Sequence, residues 1–314
     1  MNSERHFNGL DRVALPARPV HLAIGMFDGV HLGHRAVIEA AVQSARRSGG
    51  VAVVLTFWPH PSALFQPDRP RLLIMDTAVK TRLLLSLGAD AVITQPFTPD
   101  YARIEAEEFL PHLKKHLPQL AAVYVGENWR FGRGRRGDIA LLVAEAKKHG
   151  VTVFSAPRVS LDGEPVSSTR IRALLEAGEI GVANEALGFS YFAEGVVTQG
   201  KKLGRTIGFP TLNLAWNPQL RPRLGVYAVT IRGAKSPTPI PAVANYGLRP
   251  TVEQAAAEPR LESHVLGPCP FGEGDAITVE WLKFLRPEMK FGGVEELRAQ
   301  IGRDRDAALA WFGR

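Results

Sequence analysis

Short apolar runs alternate with amphipathic stretches along the first part of the chain. Five runs rich in β-branched residues begin at His21, Val51, Ala91, Ala121 and Val151, and each predicts a buried strand of a parallel sheet. The stretches between them repeat apolar residues at helical spacing, begin after capping aspartates and stop at glycines. The pattern therefore predicts βαβ units around a parallel sheet, with ligands bound at the carboxyl ends of its strands.

The pattern changes near Gly188. Six strand-like segments follow, separated by Gly, Pro and Asn, with little helical pattern between them. They are FAEGVVTQ, TLNLAW, GVYAVTIR, IPAVANYG, LESHVL and AITVEWLKFL. We expect a small antiparallel barrel or sandwich there, so that residues 1–187 form one domain and residues 188–314 a second.

A helical pattern closes the chain, from Val294 to Phe312. Its apolar residues fall on one face and predict a C-terminal helix packed on the second domain. That face comprises Val294, Leu297, Ile301, Ala308 and Phe312.

Composition and charge limit the classes of function. The 314 residues are 45% apolar and 22% charged, which excludes a mainly disordered, collagen-like or coiled-coil chain. The longest apolar run, residues 51–58, is far too short to cross a bilayer, and we expect no secretory signal. The single cysteine, Cys269, fits a reducing cytoplasm. The formal charge of +7 favours anionic partners: nucleotides, nucleic acid or phosphorylated metabolites.

The segment GMFDGVHLGH, residues 25–34, follows the first predicted strand and opens a helix. Its glycines allow backbone to approach a phosphate closely, and a helix N-terminus offers N–H groups and positive potential. His31 and His34 share a helix face and can donate hydrogen bonds to charge that develops on a phosphate. The alternative is that both histidines cap or fill the helix start. The segment does not fit the G-x-G-x-x-G pattern of nicotinamide enzymes.

Two further segments follow later strands of the same sheet. In residues 125–138, arginines lie among glycines and either bind phosphate or form a solvated loop. Trp129 and Phe131 in that loop offer stacking platforms for nucleic-acid bases. In residues 166–172, Ser168 is a natural helix cap, and the two arginines after it oppose the helix dipole unless an anion joins them.

The second domain carries two weaker signals. Residues 195–214 nearly form a P-loop, but Lys202 stands where Ser or Thr is needed and no helix pattern follows, so we reject a Walker A site. Thr211 and Asn213 alternate with leucines and share one strand face, where their oxygens can ligate Mg²⁺. Glu262, in LESHVL, can serve as a general base beside such a site. Taken alone, Thr211 and Asn213 are typical of an ordinary half-buried strand, and Glu262 is typical of a solvated glutamate.

Taken in order, these segments resemble the bacterial bifunctional riboflavin kinase/FMN adenylyltransferase family, also called FAD synthetase, over nearly the whole chain. The first module resembles nucleotidyltransferases with an H-x-G-H signature, here HLGH at 31–34, followed by TFWPHP, VGENWRFGRGRRGD and VSSTRIR. The second resembles the flavokinase barrel through GRTIGFPTLNL, GVYAV, VANYGLRPT, LESH and FLRPEMKF. The resemblance implies an α/β Rossmann-like nucleotidyltransferase domain followed by a small antiparallel β-barrel with a C-terminal helix.

The resemblance also implies two reactions. In the barrel, ATP would phosphorylate the 5′-hydroxyl of riboflavin to give FMN. In the first domain, ATP would adenylylate FMN to give FAD and pyrophosphate, with His31 and His34 binding ATP phosphates and the developing charge. The other residues implied for ATP or FMN binding there are Gly25, Phe27, Asp28, Asn128, Ser168, Thr169 and Arg172.

For the kinase, the resemblance implies that Glu262 is the catalytic base and that Thr211 and Asn213 hold Mg²⁺ and phosphates. The further residues implied for ATP or riboflavin binding are Lys202, Gly204, Arg205, Gly208 and Arg286. The expected partners are therefore small molecules, with no nucleic acid, no membrane and no obligate protein partner.

The chain departs from the family pattern at a few positions. Leu212 stands for Ala within P-T-A-N, Trp58 for a frequent Glu and Pro165 for a basic residue. After LESH, the segment GPCPFGEGD replaces an acidic, aromatic stretch. The alternatives are therefore an FMN adenylyltransferase with impaired or absent kinase activity, a flavin-binding protein without turnover, and a non-catalytic basic nucleic-acid-binding protein.

Overall fold

The computed structural model describes residues 5–200, 204, 207–248 and 259–313. The chain forms two compact units, Met1–Ser168 and Thr169–Arg314. The domain boundary predicted between residues 187 and 188 falls later in the chain, after two helices that the contacts assign largely to the second unit.

The first unit is built on six parallel strands. They are β1 (His6–Asn8), β2 (Val20–Ile24), β3 (Val51–Trp58), β4 (Ala91–Pro96), β5 (Leu120–Gly126) and β6 (Thr152–Ala156). Their order across the sheet is β1–β4–β3–β2–β5–β6. A short antiparallel pair, β7 (Ser160–Leu161) and β8 (Glu164–Pro165), follows the sheet.

Helices connect these strands. They are α1 (Leu32–Ser48), α2 (Pro61–Phe65), α3 (Thr77–Ser86), α4 (Pro99–Ala102), α5 (Ala106–His116) and α6 (Ile139–Lys148), with 3₁₀ turns at Leu10–Arg12 and Arg133–Arg135. The carboxylates of Asp76 and Asp138 cap α3 and α6 by accepting backbone N–H groups. Gly49 ends α1 in the left-handed conformation that glycine adopts without strain. These are the start and stop signals that the sequence carries.

Both faces of the sheet are buried. In β2, Leu22 and Ile24 pack with α5 and α6 on one face, and Ala23 packs with α1 and α3 on the other. The prediction of five parallel strands is confirmed, and β2 to β5 are largely buried as expected. The expected burial is wrong for β6, because this strand lies at the edge of the sheet and Phe154 is 41% exposed. Neither β1 nor α5 was predicted, because β1 is a three-residue edge strand and Pro111 interrupts the pattern of α5.

The second unit begins within α7 (Ser168–Ala177), and α8 (Ile180–Leu187) follows. Six antiparallel strands then close a barrel. They are β9 (Phe192–Thr198), β10 (Leu212–Leu214), β11 (Gly225–Gly233), β12 (Ser236–Leu248), β13 (Pro259–Val265) and β14 (Ala276–Pro287). Their order around the barrel is β10–β13–β12–β11–β14–β9, which confirms the predicted barrel and excludes the sandwich.

Aromatic side chains fill the barrel. Trp281, Tyr227 and Tyr246 are fully buried, and edge-to-face contacts place the rings of Tyr227 and Tyr246 4.5 Å and 5.4 Å from the ring of Trp281. Such pairs add about 1 kcal/mol each beyond the burial of apolar area. The barrel interior is therefore a packed core, and a ligand has to bind at its rim or outer face.

The C-terminal helix α9 (Val294–Phe312) has the predicted bounds. Ala308 packs against Val226 of the barrel, as the helical pattern predicts. The rest of the predicted face is partly wrong, because Val294 is 50% exposed whereas Gln300 and Asp304 are buried. The reason is tertiary: the carboxylate of Asp304 pairs with an arginine of β14. Although α9 is the longest described helix, no helix within the described residues is long and apolar enough to cross a bilayer.

Candidate functional site

The first candidate site lies where the strand order of the parallel sheet reverses. The chain leaves β2 through α1 to reach β3 on one side, while β5 lies on the other side of β2. Loops that leave the carboxyl ends of two such strands form a crevice, the usual ligand position in open α/β sheets. The loop from Gly25 to His31 and the loop that begins at Glu127 therefore leave the same edge of the sheet side by side.

His31 is the N-cap of α1, and its side chain is almost fully buried. Its Nδ1 accepts a hydrogen bond from the backbone N–H of His34 at 3.4 Å, so in the neutral ring the proton lies on Nε2. The two imidazoles stack, with centroids 3.6 Å apart and planes 18° apart. No acidic residue lies in the first turn of α1. The positive potential of the helix N-terminus is thus left for an anion.

The loop before α1 is bent tightly. Phe27 and Val30 both have positive φ values, 50° and 43°, which residues other than glycine rarely adopt. A Cβ on Gly25 would lie 3.0 Å from the Phe27 ring, so any other residue here would displace that ring. The Phe27 ring in turn meets the His34 ring edge-on at 5.3 Å. The loop conformation therefore determines where the second histidine lies.

Asp28 ties this loop to two other segments. Its carboxylate, 3% exposed, accepts the backbone N–H of Ile74 at 3.1 Å and 3.2 Å. Its carbonyl oxygen accepts a hydrogen bond from the Ser168 hydroxyl at 2.9 Å. Gly25, Phe27, Asp28, Ser168 and the two histidines thus belong to one connected constellation.

Asn128 stands exposed at the start of the loop that follows β5, and its amide lies 3.3 Å from the Glu127 carboxylate. In the same loop Trp129 and Phe131 stack on each other at 4.7 Å and pack against Phe109 of α5. The Phe131 ring is therefore buried and the Trp129 ring is partly buried against the core, so both rings are engaged within the protein rather than displayed as the stacking platforms that the nucleic-acid hypothesis requires.

The arginines of this loop are exposed but mostly paired. Arg133 and Arg136 lie 3.0 Å and 3.7 Å from the Glu105 carboxylate, and Arg130 lies 3.4 Å from that of Asp138. Exposed pairs of this kind contribute little stability, about 0–1 kcal/mol, and exchange readily for another anion. The loop is thus compatible with phosphate binding and less so with a dedicated nucleic-acid interface.

Thr169 and Arg172 occupy the first turn of α7, directly after Ser168. Both belong to the second compact unit, and their roles toward ATP remain predictions. The same holds for Lys202 and Arg205, which lie outside the described residues.

The second candidate site is a cavity of about 220 Å³ in the second unit. Strands β11 to β13, the segment before β10 and helix α9 line it, so it lies between the barrel wall and the helix. Polar and charged side chains converge on it: Thr211, Asn245, Glu262, His264, Arg286 and Asp304. Thr211 and Glu262 therefore face the same space, as the prediction of a kinase site requires.

Asn213 and Glu262 lie directly opposite each other on the paired strands β10 and β13. The Asn213 side chain is 8% exposed and lies where a Cβ on Gly200 would stand. Its Oδ1 atom is buried and has no hydrogen-bond partner among the residues that the structure describes. A buried amide oxygen without a donor is costly, and a hard cation would satisfy it.

A glycine-containing segment borders this cavity. Gly204 and Phe209 are joined by a backbone hydrogen bond of 2.7 Å, and Gly204 lines the cavity with Ile207 and Phe209. Gly208, between the last two, has φ of +88°. The ring nitrogen Nδ1 of His264 lies 2.8 Å from the carbonyl oxygen of Pro210 and fixes the backbone just before Thr211.

Arg286 borders the cavity, yet its guanidinium is committed to the C-terminal helix. Nε and Nη2 donate to the two carboxylate oxygens of Asp304, both at 2.7 Å. Gln300 adds a hydrogen bond of 2.8 Å to the same carboxylate. Arg286, predicted as a riboflavin-binding residue, is thus seen in this structure as a clamp between β14 and α9.

Family models match both units. A FAD synthetase model matches residues 15–170, and a riboflavin kinase model matches residues 187–312. The chain belongs to the bifunctional riboflavin kinase/FMN adenylyltransferase family. A curated member from Escherichia coli (strain K12) is 37% identical over 293 residues, covering 93% of this chain and 92% of its own. One from Bacillus subtilis (strain 168) is 34% identical over 295 residues, with the same two coverages.

A solved structure also matches this family member. It is described as a macrolide-efflux protein from Streptococcus pneumoniae, and it aligns with a TM-score of 0.85 at 27% identity over 98% of each chain. The sequence-based predictions of a parallel sheet followed by a barrel and of both enzymatic activities are thus confirmed at the level of the family.

Sequence reasoning missed three polar residues at the barrel cavity of this riboflavin kinase/FMN adenylyltransferase. Asn245 of β12 pairs in register with Glu262 of β13. The carboxylate of Asp304 accepts a hydrogen bond from Arg286. Glu288 lines the cavity and accepts the backbone N–H of Leu248; burial raises the pKa of its carboxyl group. Asn245 lies within VANYGLRPT and Glu288 within FLRPEMKF, two of the segments that carry the family resemblance, and this was the sequence signal that could have found them. The role of Asp304 depends on a contact between distant segments.

The segment that departs most from the family pattern lies outside the cavity. Residues 267–275, all of them described, are absent from its lining. Within this loop Phe271 is buried, and the Asp275 carboxylate accepts the N–H of Gly272 at 2.8 Å. The substituted loop is held by contacts with itself, with Lys235 and with β9, away from the lining of the cavity.

Proposed function

We propose that this enzyme phosphorylates riboflavin to FMN at the cavity beside α9 and adenylylates FMN to FAD at the crevice beside α1. ATP is the co-substrate of both reactions. The observation that carries the proposal is that Thr211 and Glu262 line one cavity, while Asn213 pairs in register with Glu262 on the neighbouring strand.

In the kinase reaction, Glu262 acts as the general base. Its carboxylate accepts the proton of the riboflavin 5′-hydroxyl while that oxygen attacks the γ-phosphorus of ATP, and ADP leaves with the electron pair of the broken P–O bond. The cavity wall that includes Gly204 supports the phosphates, since a glycine lets backbone approach them. His264 supports Thr211 by fixing the carbonyl of the residue before it.

Mg²⁺ fits the residues at this site. The unsatisfied Oδ1 of Asn213 and the hydroxyl of Thr211 are oxygen donors of the kind that Mg²⁺ prefers, and they would hold it together with ATP phosphates. When bound, the ion neutralises charge on the transferring phosphoryl group. Within the described residues no group of three or more His, Cys, Asp or Glu side chains is placed to hold a metal.

In the adenylyltransferase reaction, a phosphate oxygen of FMN attacks the α-phosphorus of ATP, and pyrophosphate leaves. The stacked histidines His31 and His34 at the N-terminus of α1 donate hydrogen bonds to the phosphate oxygens and to the charge that develops on them. Asn128 on the neighbouring loop and Ser168, Thr169 and Arg172 complete the nucleotide contacts. Positioning and charge neutralisation supply the rate enhancement, because both reactions are direct displacements. We place both reactions in the cytoplasm, where the lone Cys269 stays reduced.

The test is chromatography of flavins after the purified protein is incubated with riboflavin, ATP and Mg²⁺. We expect FMN first and FAD later. Formation of FAD from supplied FMN without any FMN from riboflavin would support the alternative of an adenylyltransferase with an impaired kinase. No FAD from supplied FMN would overturn the assignment of the first unit.

Two substitutions assign the reactions to the units. Glu262→Ala should lower FMN formation by about 10²- to 10⁴-fold, as removal of a general base does, and leave FAD formation from supplied FMN unchanged. His31→Ala should do the reverse. Glu273→Ala and His149→Ala, at exposed positions of the same two units, are the matched controls and should change neither reaction.

A further inference from the structure

A buried lysine lies beneath the loop that carries the adenylyltransferase site. Lys80 lies in the middle of α3, and only 4% of its surface is exposed. Lysine is among the residues least often buried, because removing an ammonium group from water is costly unless partners replace the water. No motif of the family resemblance includes Lys80, and the reactions described above do not use it.

The partners of this ammonium group identify what it holds. Nζ donates to the carbonyl oxygen of Met26 at 3.1 Å and to the hydroxyl oxygen of Thr56 at 3.0 Å. The Thr56 hydroxyl itself donates to the same Met26 carbonyl at 2.9 Å. A side chain of α3 and a side chain of β3 thus meet on one backbone oxygen of the loop after β2.

That oxygen sits at the strained part of the loop. Met26 directly precedes Phe27, whose φ of 50° is unfavourable for a residue with a side chain. Such a conformation persists only where the surroundings determine it. The two hydrogen bonds to the Met26 carbonyl hold the residue directly before Phe27, and the backbone N–H of Val30 donates to the Phe27 carbonyl at 3.1 Å. Since the Phe27 ring meets the His34 ring, the conformation held at Met26 is transmitted to the phosphate-binding histidines.

The surroundings of the Lys80 ammonium group act on its charge in two opposite ways. The Asp28 carboxylate, on the same loop, acts on it electrostatically and favours the ammonium form, while burial lowers the pKa of Lys80 to about 8. The faces toward β3 and toward Met26 contribute neutral oxygens, a hydroxyl and a carbonyl.

We propose that Lys80 is a positioning residue for adenylyl transfer: its ammonium group fixes the carbonyl of Met26, and with it the loop that sets Phe27 against His34. The inference rests on the proposed adenylyltransferase function of the first unit. It predicts that loss of the Lys80 or Thr56 contact lowers the rate of FAD formation without abolishing nucleotide binding.

The experiment compares Lys80→Met with Lys147→Met, which removes one exposed lysine of the same unit, in steady-state FMN adenylylation. We expect Lys80→Met to lower kcat by about 100-fold, the effect of a misplacement on the scale of 1 Å, with the KM values for ATP and FMN within about threefold. The riboflavin kinase activity of the same chain should not change. The Lys147→Met control should match the wild type in both reactions.

Hydrogen exchange measured at the assay temperature distinguishes a loss of activity caused by unfolding from a loss caused by a misplaced loop. A 100-fold loss through unfolding would require nearly all molecules to lose protection in β2 and β3, whereas the proposal expects those strands to stay protected. If Lys80→Met does not fold, the Thr56→Val variant tests the proposal instead. Valine keeps the shape of the threonine side chain and removes the hydroxyl that bridges Lys80 and Met26. We expect about a 10-fold lower kcat for Thr56→Val and recovery to within about threefold for Thr56→Ser.

A folded Lys80→Met or Thr56→Val variant with kcat within threefold of the wild type would overturn the inference. A wild-type protein that forms no FAD from FMN would instead overturn the proposed function, so the two failures are distinguishable.

Discussion

The ion pair between Arg286 and Asp304 should hold the wall of the kinase cavity in place. Both N–H···O distances are 2.7 Å, and the two side chains are only 18% and 8% exposed. Removing one partner of a buried pair leaves an uncompensated charge and costs about 3–5 kcal/mol. Because Arg286 keeps some contact with water, we take the lower value, about 3 kcal/mol, which corresponds to roughly a 150-fold change in an equilibrium constant.

The perturbation is therefore Asp304→Leu, with Arg286→Met as the complementary change and the double variant as the third member of a cycle. Each single variant should lower the protection of the α9 amides from hydrogen exchange by about 100-fold. The double variant should recover most of that protection, because a buried pair replaced by apolar residues of similar size is often neutral. Leu297 and Ile301 of α9 line the cavity, so the KM for riboflavin should rise in the single variants and recover in the double.

The result that would refute this reasoning is a change of less than about threefold in the exchange of α9 for Asp304→Leu. A double variant with α9 as exposed as in either single variant would also refute it, since it would show that the charges do not act as a pair. FAD formation from supplied FMN serves as the internal control and should stay at the wild-type rate in all three proteins.

Three further outcomes are expected. Gly200→Ala should abolish most kinase activity, because the new Cβ would occupy the space of the Asn213 amide, whereas Gly267→Ala, with open space around it, should be neutral in the same assay. Asn128→Ala should lower FAD formation from FMN and leave FMN formation from riboflavin unchanged, as separate chromatographic assays would show. The pKa of Lys80 is about 8 in the folded protein against 10.5 in the unfolded chain, so the unfolded chain binds more protons between these values and stability rises with pH there. Between pH 7 and pH 9 the free energy of unfolding in urea should rise by about 1 kcal/mol more for the wild type than for Lys80→Met, and equal slopes would contradict this.

Local patterns were sufficient for the architecture. The β-branched runs that became β2 to β5 are largely buried, and the caps at Asp76 and Asp138 lie where the sequence places them. These features depend on neighbours within a few residues, so a single sequence displays them. The histidine pair of α1 is local in the same sense, because His31 caps the helix that carries His34.

Contacts between distant segments could not be predicted from local sequence patterns. Trp129 and Phe131 look like exposed stacking platforms in an arginine-rich loop, yet Phe109 of α5 draws them into the core. The apolar pattern of α9 placed Val294 on the buried face, whereas the partner on β14 draws Asp304 inward instead.

By itself the sequence determined the two folds and their order, because short-range periodicity displays them, and its ordered motifs carried the resemblance from which the site residues are proposed. Only the tertiary structure decided that Asn213 faces Glu262 across a strand pair, that Arg286 is committed to Asp304, and that Lys80 supports the loop of the histidines. The physical reason is that register, burial and charge pairing depend on which distant segments come together, and no local spacing along the chain specifies that partner.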